Sequence, residues 1–174
     1  ATAIRETHEE VGIRPEEVAD LRVRGCVTDD PFPVVHEQQL PNKVVTLGAQ
    51  VFRRQCAVCH TMEGSNAVVH LTGTWDIDQM RMNIAKLQQT KPFMPPFAGT
   101  ARELESLVQY IEWVHAKRPS RWPDTISESA LKQIQDWLNE AGIEPANTAT
   151  HSPRVATAGP AALIGPTLSG GRHE

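Results

Sequence analysis

The sequence predicts an all-α protein. Four stretches, 44–55, 76–87, 101–117 and 127–141, place apolar residues at helical spacing. Proline and glycine fall between or just after these stretches, at Pro92, Pro95, Pro96, Pro119 and Gly142. The remaining sequence, before 44 and after 143, is poor in core-forming stripes and reads as extended arms. The chain has 174 residues, 40% hydrophobic and 22% charged, which suits one ordinary soluble domain and is short for two. No apolar run approaches the ~18–20 residues of a transmembrane helix. Residues 1–13 lack the apolar core of a signal peptide. The net charge of −4 argues against a general nucleic-acid binder. All of that charge lies in residues 1–43, with nine acids and five bases; the rest holds twelve of each.

The first helix runs over 44–55, with Val44, Leu47, Val51 and Gln55 at helical spacing. Gly48 and Phe52 share one of its faces, and a glycine there lets another helix approach closely. The stretch from Asp76 to Leu87 is amphipathic, with Met80 and Met82 read as core filler. Thr100 and Glu103 form a capping box for a helix from Ala101 to Lys117. Its stripe is Leu104, Leu107, Val108, Ile111 and Val114, and Pro119 stops it. A further helix spans Ser127 to Ala141, with Ala130, Leu131, Ile134, Trp137 and Leu138 as its apolar face and Gly142 just past its end.

The chemistry centres on Cys56-Ala57-Val58-Cys59-His60. C-x-x-C-H is the attachment pattern of a c-type haem. The two thiols add across the haem vinyl groups, and the next residue, His60, gives its imidazole to the iron. A thioredoxin-like redox pair would want a preceding strand, and none is visible. A zinc ribbon would need a second Cys or His pair at suitable spacing, and none follows. For the opposite haem face the candidates are Met62, His70, Met80, Met82 and Met94. Met62 is too close to the motif. His70, in an apolar turn, would give bis-His ligation. Met94 lies in Lys91-Pro92-Phe93-Met94-Pro95-Pro96-Phe97-Ala98-Gly99-Thr100, whose prolines hold it extended and present one side chain at low ordering cost. Met94 is the expected distal ligand; His70 or an open site, which would make a haem enzyme, stays as the alternative.

These motifs resemble the class I cytochromes c. The resemblance covers 44–118: the C-x-x-C-H string, the M-P-P-F-A-G-T loop at 94–100, and the Gly48/Phe52 face, which in that family crosses the C-terminal helix. It implies a class I fold, one covalently bound haem c held by Cys56, Cys59, His60 and Met94, and electron transfer rather than enzyme activity. It also implies that Tyr110 or Trp113 covers the first helix near Gly48 and Phe52, and a periplasmic or equivalent compartment. One departure is the missing Gly-Pro after the motif, where Glu63-Gly64-Ser65-Asn66 stands instead. The proximal imidazole is therefore expected to find another partner, such as a loop carbonyl.

The expected organisation is an acidic arm and linker over 1–43, a haem domain over 44–118, an additional helix over 119–143 and an extended tail over 144–174. Arg5-Glu6-Thr7-His8-Glu9-Glu10-Val11-Gly12-Ile13 resembles half of a Nudix box, in which Glu6, Glu9 and Glu10 would bind Mg²⁺. The other half is absent, and a short acidic helix is the competing reading. Cys26 is read as a free or buried thiol, and His115, His151 and His173 as isolated surface residues. Around the motif Arg53, Arg54, Arg81, Lys86 and Lys91 outnumber Glu63, Asp76 and Asp78, which suits docking to an acidic redox partner. The long arms suggest a subunit strapped to its neighbours in a membrane-bound redox complex; a free shuttle is the alternative.

Overall fold

A computed structural model describes residues 14–28, 30 and 40–142. The Nudix-like stretch, most of the linker, and the tail with His151 and His173 lie outside the described residues. Among the described residues every regular element is helical. They are α1 (Pro15–Arg24), α2 (Lys43–Val51) running into a π-helical turn (Phe52–Cys56), α3 (Val68–Leu71), α4 (Ile77–Ala85), α5 (Leu87–Thr90), α6 (Ala101–His115) and α7 (Glu128–Glu140).

The caps follow the sequence. Asn42 accepts from the Val45 N–H at 3.0 Å and opens α2. Asp76 with Gln79 and Thr100 with Glu103 form capping boxes at α4 and α6. The helix expected to reach Lys117 ends at His115, because Lys117 and Arg118 take φ of 67° and 56°. Their N–H groups close the end on Val114 O and Trp113 O. Gly142, at φ 67°, stands just past α7 as expected.

The α6 stripe is buried throughout; Leu104, Leu107, Val108 and Ile111 form the centre of the core with Val51, Phe52, Met80 and Ile84, and Val114 packs in a second cluster with Val45 and Trp113. At the α2–α6 crossing Gly48 is indispensable: a Cβ built there would lie 2.0 Å from Ser106 O and 2.7 Å from Tyr110 Cβ. Tyr110 is the aromatic that covers this crossing, tilted against Phe52 with ring centroids 6.1 Å apart. Met80 is fully buried core filler, whereas Met82 is 37% exposed.

The described part of the N-terminal arm differs from the extended chain expected. Residues 15–24 are helical, with Glu16 and Glu17 in the first turn and Arg22 and Arg24 in the last, which complements the helix dipole. Val18 is buried, and Cys26 joins the same core cluster as Phe52, Leu104 and Leu107. One buried apolar position in ten residues gave too weak a stripe to read. On the other side α7 adds Ile134 and Leu138 to that cluster.

Candidate haem site

The π turn shapes the start of the site. Ala57 N–H donates to Phe52 O at 2.9 Å, an i to i+5 bond that widens the helix just before the motif. Cys59 N–H and His60 N–H then both donate to Cys56 O, at 3.1 and 2.8 Å. Cys56, Cys59 and His60 thus leave one tight turn together. Cys56 is half-buried and burial pushes its thiol up to about 12; Cys59 is exposed.

The residues after the motif form a closed loop. Val68 N–H donates to Thr61 O at 2.9 Å, Thr61 Oγ1 to Ser65 O at 2.9 Å, and Asn66 Nδ2 to Cys59 O at 2.7 Å. Asn66 takes φ 58°, and its carbonyl lies 3.4 Å from His60 Nδ1. A carbonyl only accepts, so Nδ1 is the donor and Nε2 keeps its lone pair for a metal. The His60 ring thus has a loop carbonyl for its partner.

Met94 is half-buried in the proline-rich loop, its N–H on Lys91 O at 2.9 Å. The loop is fastened at its far end by Gln55, the residue before Cys56. Gln55 Nε2 donates to Ala98 O at 2.8 Å, and Ala98 N–H donates to Gln55 Oε1 at 2.9 Å. One side chain thereby joins the motif helix to the Met94 loop. His70 is exposed on α3 and lines a surface cavity of about 310 Å³ with Glu63, Gly73, His115 and Lys117.

Several contributors escaped the sequence reading. Gln55 was seen only as a position on a helical stripe. Glu103 was seen as a cap, but its buried carboxylate also accepts from Cys26 N–H at 2.9 Å and Val27 N–H at 3.0 Å, besides Thr100 N–H at 2.8 Å. His115 is not an isolated surface residue. Its Nε2 lies 3.2 Å from both Val69 O and Thr72 Oγ1, and Nδ1 faces Glu112 at 3.3 Å. The basic face is also smaller than its composition suggested. Arg53 pairs with Asp30, Lys86 with Glu140, and Arg81 with Asp78 and the buried Glu105. Arg54 and Lys91 are the exposed cations of that set.

Two thiols and an imidazole on one turn, with Nε2 free to ligate, fit a covalently attached haem. A thioether on a second, tethered loop fits its other axial position. The helical fold and the family match of its central stretch support a class I c-type cytochrome domain that carries haem c and transfers electrons. In particular, residues 43–111 match the family described as Cytochrome C oxidase, cbb3-type, subunit III, a match that spans less than half of the chain. Comparisons with curated proteins and with solved structures give no match.

Proposed function

We propose that Cys56 and Cys59 hold the haem through thioether bonds, that His60 and Met94 are its axial ligands, and that the chain serves as an electron-transfer subunit of a membrane-bound oxidase-type complex. The observation that carries the ligand assignment is the Gln55–Ala98 pair of hydrogen bonds, which ties the Met94 loop to the cysteine turn. When bound, the haem supplies an iron that takes up and releases one electron. The chain's own work is to bind and orient. The Asn66 carbonyl fixes the His60 ring and its tautomer. The prolines and Gln55 hold Met94 with little conformational freedom to lose, and the buried core against Phe97 excludes water.

The complex membership draws on the similarity of 43–111 to the oxidase subunit family. Among the described residues no helix is long and apolar enough to cross a membrane. Val58, between the two cysteines, and Phe93, beside Met94, are 83% and 74% exposed and offer apolar contact at the site. Haem c assembly places the domain on the periplasmic or equivalent side.

A pyridine haemochrome spectrum of denatured protein tests the attachment: the haem should stay with the chain in acidified acetone. Ferric protein should show the weak near-infrared band of Met–iron ligation, lost in Met94→Ala and kept in His70→Ala. The reverse pattern would make His70 the ligand, and rapid CO binding to ferrous wild-type protein would indicate an open site.

A further inference from the structure

We infer that Arg22, on a helix outside the family-matched stretch, is a positioning residue for the distal loop. The inference rests on the reading of Met94 as a haem ligand. Arg22 Nε donates to Phe97 O at 3.1 Å, three residues beyond Met94, and Nη1 donates to Leu138 O at 2.8 Å. Leu138 is in the last turn of α7, where carbonyls lack a helical partner and the dipole is negative. A guanidinium suits that position because its donors are held in a rigid plane and can reach two carbonyls at once. Nη2 is buried with no hydrogen-bond partner among the described residues, so the group sits inside the joint rather than on its surface.

The loop carrying Met94 is therefore held from two sides. Gln55 grips Ala98 from the cysteine turn, and Arg22 grips Phe97 from α1 while braced on α7. Opening the loop enough to release Met94 requires the Phe97 carbonyl to leave a half-buried charged donor. Hydrogen bonds to charged groups are among the stronger ones. In this arrangement the elements flanking the haem domain act on the haem ligation within the chain itself.

Exogenous imidazole reads the opening of the loop, because it can bind the ferric iron only when the distal ligand has left. The holoprotein Arg22→Gln should bind imidazole at least about tenfold faster than wild type, equivalent to ~1.4 kcal/mol, with a weakened near-infrared band. Val18→Ala loosens the packing of the same helix but keeps the guanidinium, and should stay within about twofold of wild type. If Arg22→Gln does not accumulate, Arg22→Lys, which keeps the charge but can reach one carbonyl, should give an intermediate rate. A wild-type rate in the Arg22 variants, or an equal acceleration in Val18→Ala, overturns the inference while leaving Met94 as ligand. A near-infrared band that survives Met94→Ala overturns the ligand assignment itself, and the role of Arg22 with it.

Discussion

Three cysteines in one small domain have three different environments, and their chemistry divides accordingly. Cys59 is exposed, Cys56 half-buried, and Cys26 buried in the core, where burial and then the neighbouring Glu103 push its thiol up to about 12. With Cys56 and Cys59 consumed as thioethers, the native holoprotein should show no thiol reactive to iodoacetamide, and the denatured protein one. A native thiol count above zero would mean incomplete attachment or an accessible Cys26. The same burial sets a pH dependence. The folded pKa of Cys26 lies above the unfolded value of 9.0, so its contribution is intact below pH 9 and is lost as pH rises toward about 12. Alkaline thermal melts should therefore decline less steeply in Cys26→Ala than in wild type, whatever the cavity costs at neutral pH. At Gly48 the outcome is steric. A methyl group would meet the Ser106 backbone at 2.0 Å, so Gly48→Ala has to push α2 and α6 apart. We expect a loss of about 3 kcal/mol or more, visible as a lower urea midpoint. An unchanged midpoint would mean that the helices separate freely.

At the scale of the element, α6 organises the molecule, and its two buried carboxylates do so differently. Glu105 receives Arg81 through both oxygens, at 2.7 Å each, with Gln109 Nε2 on Oε1 at 2.9 Å. This joins α4 to α6 inside the core, since Glu105 is 1% exposed. Arg81→Ala leaves that carboxylate without a cation and should cost about 3–5 kcal/mol. The double change Arg81→Met with Glu105→Leu should recover most of the loss in denaturant titrations; a double variant as unstable as the single one would show that the pair is more than a packed bridge. Glu103 instead gathers backbone N–H groups from the α6 cap and from Cys26 and Val27. Glu103→Gln turns one acceptor into a donor facing donors, and should cost about 2 kcal/mol and speed hydrogen exchange at Cys26 and Val27. The helices were legible because their stripes and caps are local: Thr100/Glu103, the α6 apolar face and Gly142 all appear in sequence at fixed offsets. The Gly48 crossing was legible only beside the haem motif. What was not legible is the long-range polar bonding: Arg22 to Phe97 spans 75 residues, Cys26 to Glu103 77, and Arg81 to Glu105 24. No periodicity marks a polar side chain whose partner is brought to it by the tertiary fold. The π turn was hidden as well, because its single i to i+5 bond leaves no periodic mark in the sequence.

For the whole molecule, the boundary of the haem domain is the question that the packing answers most directly. The family-matched stretch, 43–111, holds the motif and the Met94 loop. Yet Cys26, Ile134 and Leu138, all outside it, belong to the same buried cluster as Phe52, Leu104 and Ile111. A polar tie agrees: Gln88 Nε2 donates to Ala141 O at 3.1 Å. A chain trimmed to 40–118 would lose Ile134 and Leu138 from one side of the core and Val18 and Cys26 from another. Each fully buried aliphatic side chain is worth about 1.5–3 kcal/mol. Glu103 would also lose its Cys26 and Val27 donors and keep a carboxylate designed for burial. Such losses together rival the whole stability of an ordinary domain, about 5–15 kcal/mol. A 14–142 fragment of the holoprotein should therefore unfold cooperatively in guanidinium with a midpoint close to that of the full chain, whereas 40–118, even with haem attached, should unfold at a much lower midpoint and over a broader range. Equal midpoints for the two fragments would show that α1 and α7 rest on a self-sufficient haem domain, and that their role is to be sought in contacts with other subunits.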